Sequence, residues 1–192
     1  MPTPAYISIE GSTQGNITQG DVAADSVGNV YVEGHEDEIL VQEIQHIVAV
    51  PTDPQSGQPS GQRVHKPFAF TCALNKAVPL LYNSLTSGEM LPKVNVKWYR
   101  TSTEVKQEHF FSTSPEDATV VHMETVLPHA QNPQNADYTQ KIKVSMAYRE
   151  IVWEHDIAGT SGADDWRLFL RSFKLWPHKR IIGSRRPWAV SI

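Results

Sequence analysis

Cysteine is almost missing from this chain: Cys72 is the only one in 192 residues. A lone cysteine excludes an internal disulfide and any zinc site built from several thiolates. Its alternation with Phe68 and Phe70 reads as a small apolar residue on the buried face of a strand. Long apolar runs are missing too, since no stretch approaches the roughly 18 residues that span a membrane. The opening Met1-Pro2-Thr3-Pro4-Ala5-Tyr6-Ile7 has neither the basic n-region nor the apolar h-region of a signal peptide. The expectation is therefore synthesis in the cytoplasm, with any export by a route that cleaves no signal. Paired metal motifs are also lacking. His35, His46, His65, His109, His122, His129, His155 and His178 are scattered, without an H-x-H or H-E-x-x-H pair. No metal and no cofactor is expected. The nearest thing to a cluster, His35-Glu36-Asp37-Glu38, reads as a solvated acidic loop that could offer partners to a neighbouring subunit's basic groups.

Catalytic constellations are equally sparse. Gly159-Thr160-Ser161-Gly162 sets a serine between glycines, with His155 before it and Asp164-Asp165 after it. Its spacing is G-x-S-G rather than G-x-S-x-G, and no helical pattern follows to make a nucleophile elbow, so the segment reads as a flexible turn. The glycines near position 60 lack the strand-to-helix context and the lysine-serine ending of a phosphate loop. No acid, base and nucleophile converge, and an enzyme ranks last among the functions considered.

What the chain does contain is strand periodicity. A 40% hydrophobic content with 20% charged residues belongs to an ordinary globular class, and the length suits one core. Lys93-Val94-Asn95-Val96-Lys97-Trp98 and Lys141 to Tyr148 alternate apolar and polar side chains. Further strands are expected at Ala5–Glu10, Val27–Gly34, Glu43–Val50, Phe68–Ala73, Glu108–Ser112, Ala118–Glu124 and Ile151–Asp156. Lys76–Ser87 breaks the rhythm by placing Val78, Leu81, Tyr82 and Leu85 at helical spacing. Asn75 is its expected N-cap and Gly88 its end. Between Val120 and Gln140 an irregular stretch is expected around Pro128 and Pro133. The fold class is thus mainly β: an antiparallel β-barrel of two packed sheets, with one α-helix at its side and a long protruding loop.

That loop, Val50–Phe70, is polar and punctuated by proline and glycine. It is much longer than the usual 4 to 6 residues of a connection, which points to a contact outside the chain's own core. Its residues Ser56-Gly57-Gln58-Pro59-Ser60-Gly61-Gln62-Arg63-Val64-His65-Lys66-Pro67-Phe68 resemble the Hcp family, the tube proteins of bacterial type VI secretion systems. The resemblance runs through Tyr6–Gly11, His35-Glu36, Ser87-Gly88, Val96–Tyr99, Glu108–Phe111, Tyr148–Glu154 and Gly159–Trp166, essentially all of 1–167. It implies a β-barrel with a helix at its side. It also implies homohexameric rings stacked into a hollow tube, a sheath and a spike protein as partners, and effectors carried inside. Such a protein is cytoplasmic before firing and secreted afterwards. The subunit interface is expected at Pro54, Ser56, Gly57, Gly61, Arg63, His65 and Lys66, with the last basic group reaching an acidic neighbour.

Charge divides the chain in two. Residues 1–167 hold 11 Lys and Arg against all 21 Asp and Glu, a net −10, whereas 168–192 hold six basic residues and no acid. The expected organisation is an Hcp-like domain over 1–167 and a basic, flexible extension over 168–192 where the resemblance stops. Pro177, Gly183 and Pro187 interrupt any long helix there. The extension could be a mere appendage or dock on the acidic body of its own ring. With Trp176 and Trp188 it could also engage anionic membrane or nucleic acid. The first two readings fit a tube subunit, for which no nucleic-acid partner is expected and membrane contact stays open. The third makes the chain a secreted effector or binding module.

Overall fold

The computed structural model describes residues 3–21, 23–27, 33–104, 106–129, 131–135 and 139–167. The basic extension 168–192 and most of the strand expected at Val27–Gly34 lie outside the described residues. Eleven strands appear among those described: β1 Ala5–Gly11, β2 Gly15–Asn16, β3 Ile39–Gln45, β4 Val48–Ala49, β5 Val64–His65, β6 Phe68–Ala73, β7 Met90–Thr101, β8 Gln107–Val126, β9 Lys141–Ala147, β10 Glu150–His155 and β11 Thr160–Asp165. Two α-helices, α1 Ala24–Val27 and α2 Ala77–Ser87, and a single 3-10 turn at Pro133–Asn135, within the irregular stretch expected there, complete the order among the described residues.

Strand pairing returns to its start. β7 pairs with β1, β1 with β3, β3 with β6, β6 with β9, β9 with β8, and β8 with β7, all antiparallel. These six strands therefore close into a barrel, and closure leaves them no open edge of the kind that invites aggregation. β8 makes this possible. At 20 residues it can reach roughly 65 Å if extended, so its first part pairs with β7 and β10 and its last part with β9. β10 and β11 extend the sheet from β8, while β4 and β5 form a separate two-stranded ribbon.

Glu108–Ser112 and Ala118–Glu124, expected as two strands, are thus one. Pro115 and Asp117 read as turn signals, but the register against β7 runs on from Lys93↔Glu116 to Val96↔Thr113. Asp117 absorbs the irregularity with φ 48°, a left-handed conformation that Asp tolerates better than most residues. Conversely, Glu43–Val50 is split between β3 and β4. Gly159–Gly162, read as a flexible turn, is strand for all but its first residue: the turn ends at Gly159 (φ 66°), and Thr160 begins β11.

Inward alternation fills the barrel with Ile7 and Ile9, Val94 and Val96, Phe68, Phe70 and Cys72, and Ile142, Val144 and Met146, all essentially inaccessible. Helix α2 covers this core with Val78, Leu81 and Leu85, as their spacing indicates, whereas Tyr82, expected on the same stripe, is exposed and bonds Thr125 Oγ1 through its hydroxyl. Its start differs from expectation. Asn75 does not cap it; Asp21, far away in sequence, accepts from the Ala77 backbone N–H (2.9 Å) and from Asn75 Nδ2 (2.7 Å). Burial pushes the Asp21 carboxyl up to about 6, against the Ala77 hydrogen bond and Lys76. Its end is as expected, with Gly88 left-handed at φ 67°.

Just beyond, buried Glu89 pins the turn after β1. Its Oε1 accepts from the backbone N–H of Thr13 (2.6 Å) and Gln14 (2.9 Å), and its Oε2 from Gln14 Nε2 (2.6 Å) and Ser84 Oγ (3.3 Å). Burial alone would raise this carboxyl, but the bonds from Gln14, Thr13 and Ser84 prevail and hold it below its ordinary value. Gly11 makes room for it, since a Cβ there would stand 2.5 Å from Glu89 Oε1.

Candidate assembly surface and the root of the arm

The protruding loop is an arm with its own internal order. Every residue from 48 to 62 is exposed, yet the backbone is bonded to itself. Asp53 N–H donates to Gln58 O (2.8 Å), Gly57 N–H to Asp53 O (2.8 Å) and Ser60 N–H to Pro51 O (2.8 Å). Asp53 Oδ1 accepts from the Gln55 and Ser56 amides, an Asx-type turn that leaves Gly57 at φ 68°, where a side chain would be strained. Pro54, Ser56, Gly57 and Gly61 all lie on this exposed part, with Gly61 against the Pro51 ring. Val48, Val50 and Val64 are 41%, 47% and 46% exposed on the ribbon below.

Arg63 and His65 lie at the root and are engaged within their own chain. Arg63 Nε donates to Asp164 and its Nη2 to the Asp165 carbonyl. Buried His65 bonds Asp164 Oδ2 through Nε2 and the Tyr148 hydroxyl through Nδ1, both at 2.8 Å. On the other side of that hydroxyl lies His46 Nε2, also at 2.8 Å. Trp166 stacks on His65 at 5.8 Å. Burial would raise the Asp164 carboxyl, but Arg63 and then His65 hold it below the usual carboxylate range. Burial and then Asp164 push the Tyr148 hydroxyl up to about 12. Arg149 anchors the same corner, donating to Asp117 (2.7 Å), Asp165 (2.6 Å) and Glu150 (3.0 Å). Lys66, the remaining candidate, is exposed next to this root.

Sequence reasoning met Asp164 and Asp165 only as the two acids that follow Gly159–Gly162, and did not set them opposite Arg63 and Arg149. Two adjacent carboxylates in a region, 1–167, that has only four arginines, Arg63, Arg100, Arg149 and Arg167, were the available signal. His35–Glu38 also proves more built-in than a solvated loop. His35 stacks on Tyr6 at 3.7 Å, and buried Glu38 pairs with His35 and with Lys97 of the same chain.

Nothing among the described residues assembles into a reaction centre. Ser112 Oγ lies 3.1 Å from His109 Nε2 and donates to Asp156 at 3.0 Å. The carboxylate and the serine thus face the same imidazole nitrogen, whereas a triad needs the acid on the opposite one. His155 Nδ1 accepts from the Ala158 amide inside its own turn. Burial, then Asp21, push the Cys72 thiol up to about 12, which leaves it protonated and inert. No group of three or more His, Cys, Asp and Glu gathers as a metal would need among the described residues.

The described residues thus form a closed barrel flanked by one helix, with an exposed, self-ordered arm. Comparison with known proteins supplies the family. The family model described as type VI secretion system effector, Hcp, matches residues 6–155. The major exported protein of Pseudomonas aeruginosa is 53% identical over 167 residues, 87% of this chain and 97% of that protein. A crystal structure of an Hcp protein shares 61% identity at TM-score 0.83, covering 88% of this chain and 100% of that one. The secreted protein Hcp3 from Pseudomonas aeruginosa shares 45% at TM-score 0.75, covering 87% and 100%. The chain belongs to the Hcp family of type VI secretion systems.

Proposed function

We propose that six copies of this chain close into a ring, that rings stack into a hollow tube, and that each copy lays its arm against a neighbour. The arm carries this reading. Ordering a chain segment costs roughly 1–2 kcal/mol per residue in backbone entropy, and residues 48–62, all exposed, recover little of it from the chain's own core. Evenly exposed valines on the ribbon supply the apolar surface that a partner would cover. The excess of acid over base in 1–167 supplies charge opposite to Lys66 on the next copy.

In this reading Pro54, Ser56, Gly57 and Gly61 meet the neighbour, while Arg63 and His65 set the angle of the arm. A contact of this kind joins different faces of successive copies, so it closes a ring when the rotation allows. The work is mechanical, with lumen and stacking faces in place of a catalytic site. Sheath, spike and effectors are the remaining partners, and the protein leaves the cytoplasm through the apparatus without a cleaved signal. Mass photometry of the full chain tests the reading: the expected peak is a hexamer. A variant with Asp53–Ser60 replaced by a short Gly-Ser turn is expected to keep the thermal midpoint of the barrel and lose the ring. Wild type that stays monomeric at every concentration, or a shortened arm that still forms rings, overturns it.

A further inference from the structure

The root of the arm holds two imidazoles on one hydroxyl. His46, between β3 and β4, and His65, on β5, reach the Tyr148 hydroxyl from opposite sides at 2.8 Å each. A tyrosine hydroxyl has one hydrogen to give, and each neutral imidazole has one nitrogen that donates and one that accepts. Counting hydrogens therefore decides which protonation states this corner can hold.

With both imidazoles neutral every group is satisfied. His46 Nε2–H donates to the Tyr148 oxygen, Tyr148 donates to His65 Nδ1, and His65 Nε2–H donates to Asp164. One added proton is also accommodated. It enters on His46 Nδ1; His46 Nε2 gives its hydrogen to the Tyr148 oxygen, and the hydroxyl gives its own to His65 Nδ1. His46 is left neutral and accepting, and His65 becomes a cation beside the Asp164 carboxylate, 2.8 Å away. A second proton has no such place. It must sit on His46 Nε2, the position that accepts the Tyr148 hydrogen, so that hydrogen loses its acceptor on both sides. Two imidazolium rings then bracket one buried hydroxyl.

We propose that His46, Tyr148 and His65 form a proton-operated latch that keeps the arm seated on β11 with no proton or one, and releases it with the second. The surroundings fit that reading. His65 is 2% exposed and faces Asp164 of β11, the Trp166 ring and Tyr148. Arg63 shares Asp164 and also holds the Asp165 carbonyl, while Arg149 holds the Asp165 carboxylate. His46 packs against uncharged rings, Phe68 of β6, Trp153 of β10 and Tyr148, and among the described residues no carboxylate pairs with it as Asp164 pairs with His65. Burial, and then His65, hold His46 below the ordinary histidine range, which places the second uptake in acid.

What the latch closes is the base of the ribbon. His65 pairs with Val48, and the Lys66 amide donates to Ile47 O at 3.0 Å. An expelled His65 takes these bonds with it.

Amide hydrogen exchange on the full chain tests it, with rates corrected for the pH dependence of intrinsic exchange. Between about pH 7.5 and pH 5, protection over Ile47–Ala49 and Val64–Lys66 is expected to fall by about tenfold or more, while β6 keeps its protection. His46→Gln retains an amide for Tyr148 but takes up no proton, and its root is expected to stay protected at the lower pH. Tyr148→Phe removes the bridge, so its root is expected to be loosened already at pH 7.5 and to respond little to acid. A wild-type root equally protected at both pH values overturns the proposal. So does a His46→Gln or Tyr148→Phe protein that loses protection in acid as steeply as wild type.

Discussion

Replacing Glu89 by glutamine probes how the chain joins its first hairpin to the end of α2. The carboxylate collects four hydrogen bonds, two on each oxygen. An amide of the same shape has one oxygen, so its NH2 must face either the Thr13 and Gln14 amides or the Gln14 side chain, donor against donor. Gln14 cannot turn to compensate without surrendering its bonds to Leu80 O (3.2 Å) and Ser84 Oγ (2.9 Å). Bonds to a charged acceptor are worth about 1.5–3 kcal/mol net, neutral ones about 0.5–1.5, and a buried donor without a partner costs about 1–3. The sum points to a loss of about 3 kcal/mol, or about 6–12 °C in thermal midpoint for a chain of this size. pH gives the discriminating control. Glu89 lies below its ordinary value in the fold, so its contribution is fully present above the unfolded value near 4.5. It is lost as pH falls through the lower folded value. Scanning fluorimetry at fixed protein concentration should therefore show a large deficit for Glu89→Gln at about pH 7 that shrinks toward about pH 3. A midpoint within about 2 °C of wild type at pH 7, or an equal deficit at both pH values, would refute the reasoning.

Three further outcomes follow from the same contacts. Gly11→Ala puts a Cβ 2.5 Å from Glu89 Oε1, and its cost of about 2 kcal/mol should be far from additive with Glu89→Gln in a double-mutant thermal cycle. Asp21→Ala strips the N-terminus of α2 and leaves the Ala77 and Asn75 donors unpaired, lowering stability by about 2 kcal/mol; Asp21→Asn keeps an acceptor for Ala77 and should cost less than half of that. Because the Asp21 carboxyl is raised to about 6, the folded state binds its proton first, so Asp21 itself favours the fold more as pH falls from 6 toward 4, a trend Asp21→Asn should lack in thermal scans. Arg63→Ala removes the bonds to Asp164 and the Asp165 carbonyl and should cost about 1 kcal/mol in melting while raising hydrogen exchange at the arm root well beyond that of β6.

The parts of the fold that were legible in the sequence share one property: their side chains alternate against a single core. Ile7 and Ile9, Val94 and Val96, and Ile142, Val144 and Met146 announce buried strand faces because a strand has a period of two. The α2 stripe of Val78, Leu81 and Leu85 did the same at helical period. Where local residue chemistry competed with pairing, the reading failed. Pro115 and Asp117 signal a turn, but β7 and β10 on either side hold β8 straight through them. Thr160 to Gly162 signal flexibility, yet pairing with β10 makes them a strand. Asn75 is a good cap by type, and Asp21 was placed nearer the open amide by a loop more than fifty residues away. The arm was found from composition, whereas the roles of its candidates were not: Arg63 and His65 look like surface charge until β11 brings Asp164 beneath them.

Alone, the sequence determined the strand and helix faces, the exposed arm and the family, because these depend on periodicity, composition and local order of residues. The folded arrangement decided closure through β8, the capping by Asp21, the Glu89 pin and the shared hydroxyl of Tyr148. Each of these joins groups far apart along the chain, and no local pattern specifies which distant donor will meet which acceptor. Only the packed barrel sets those distances.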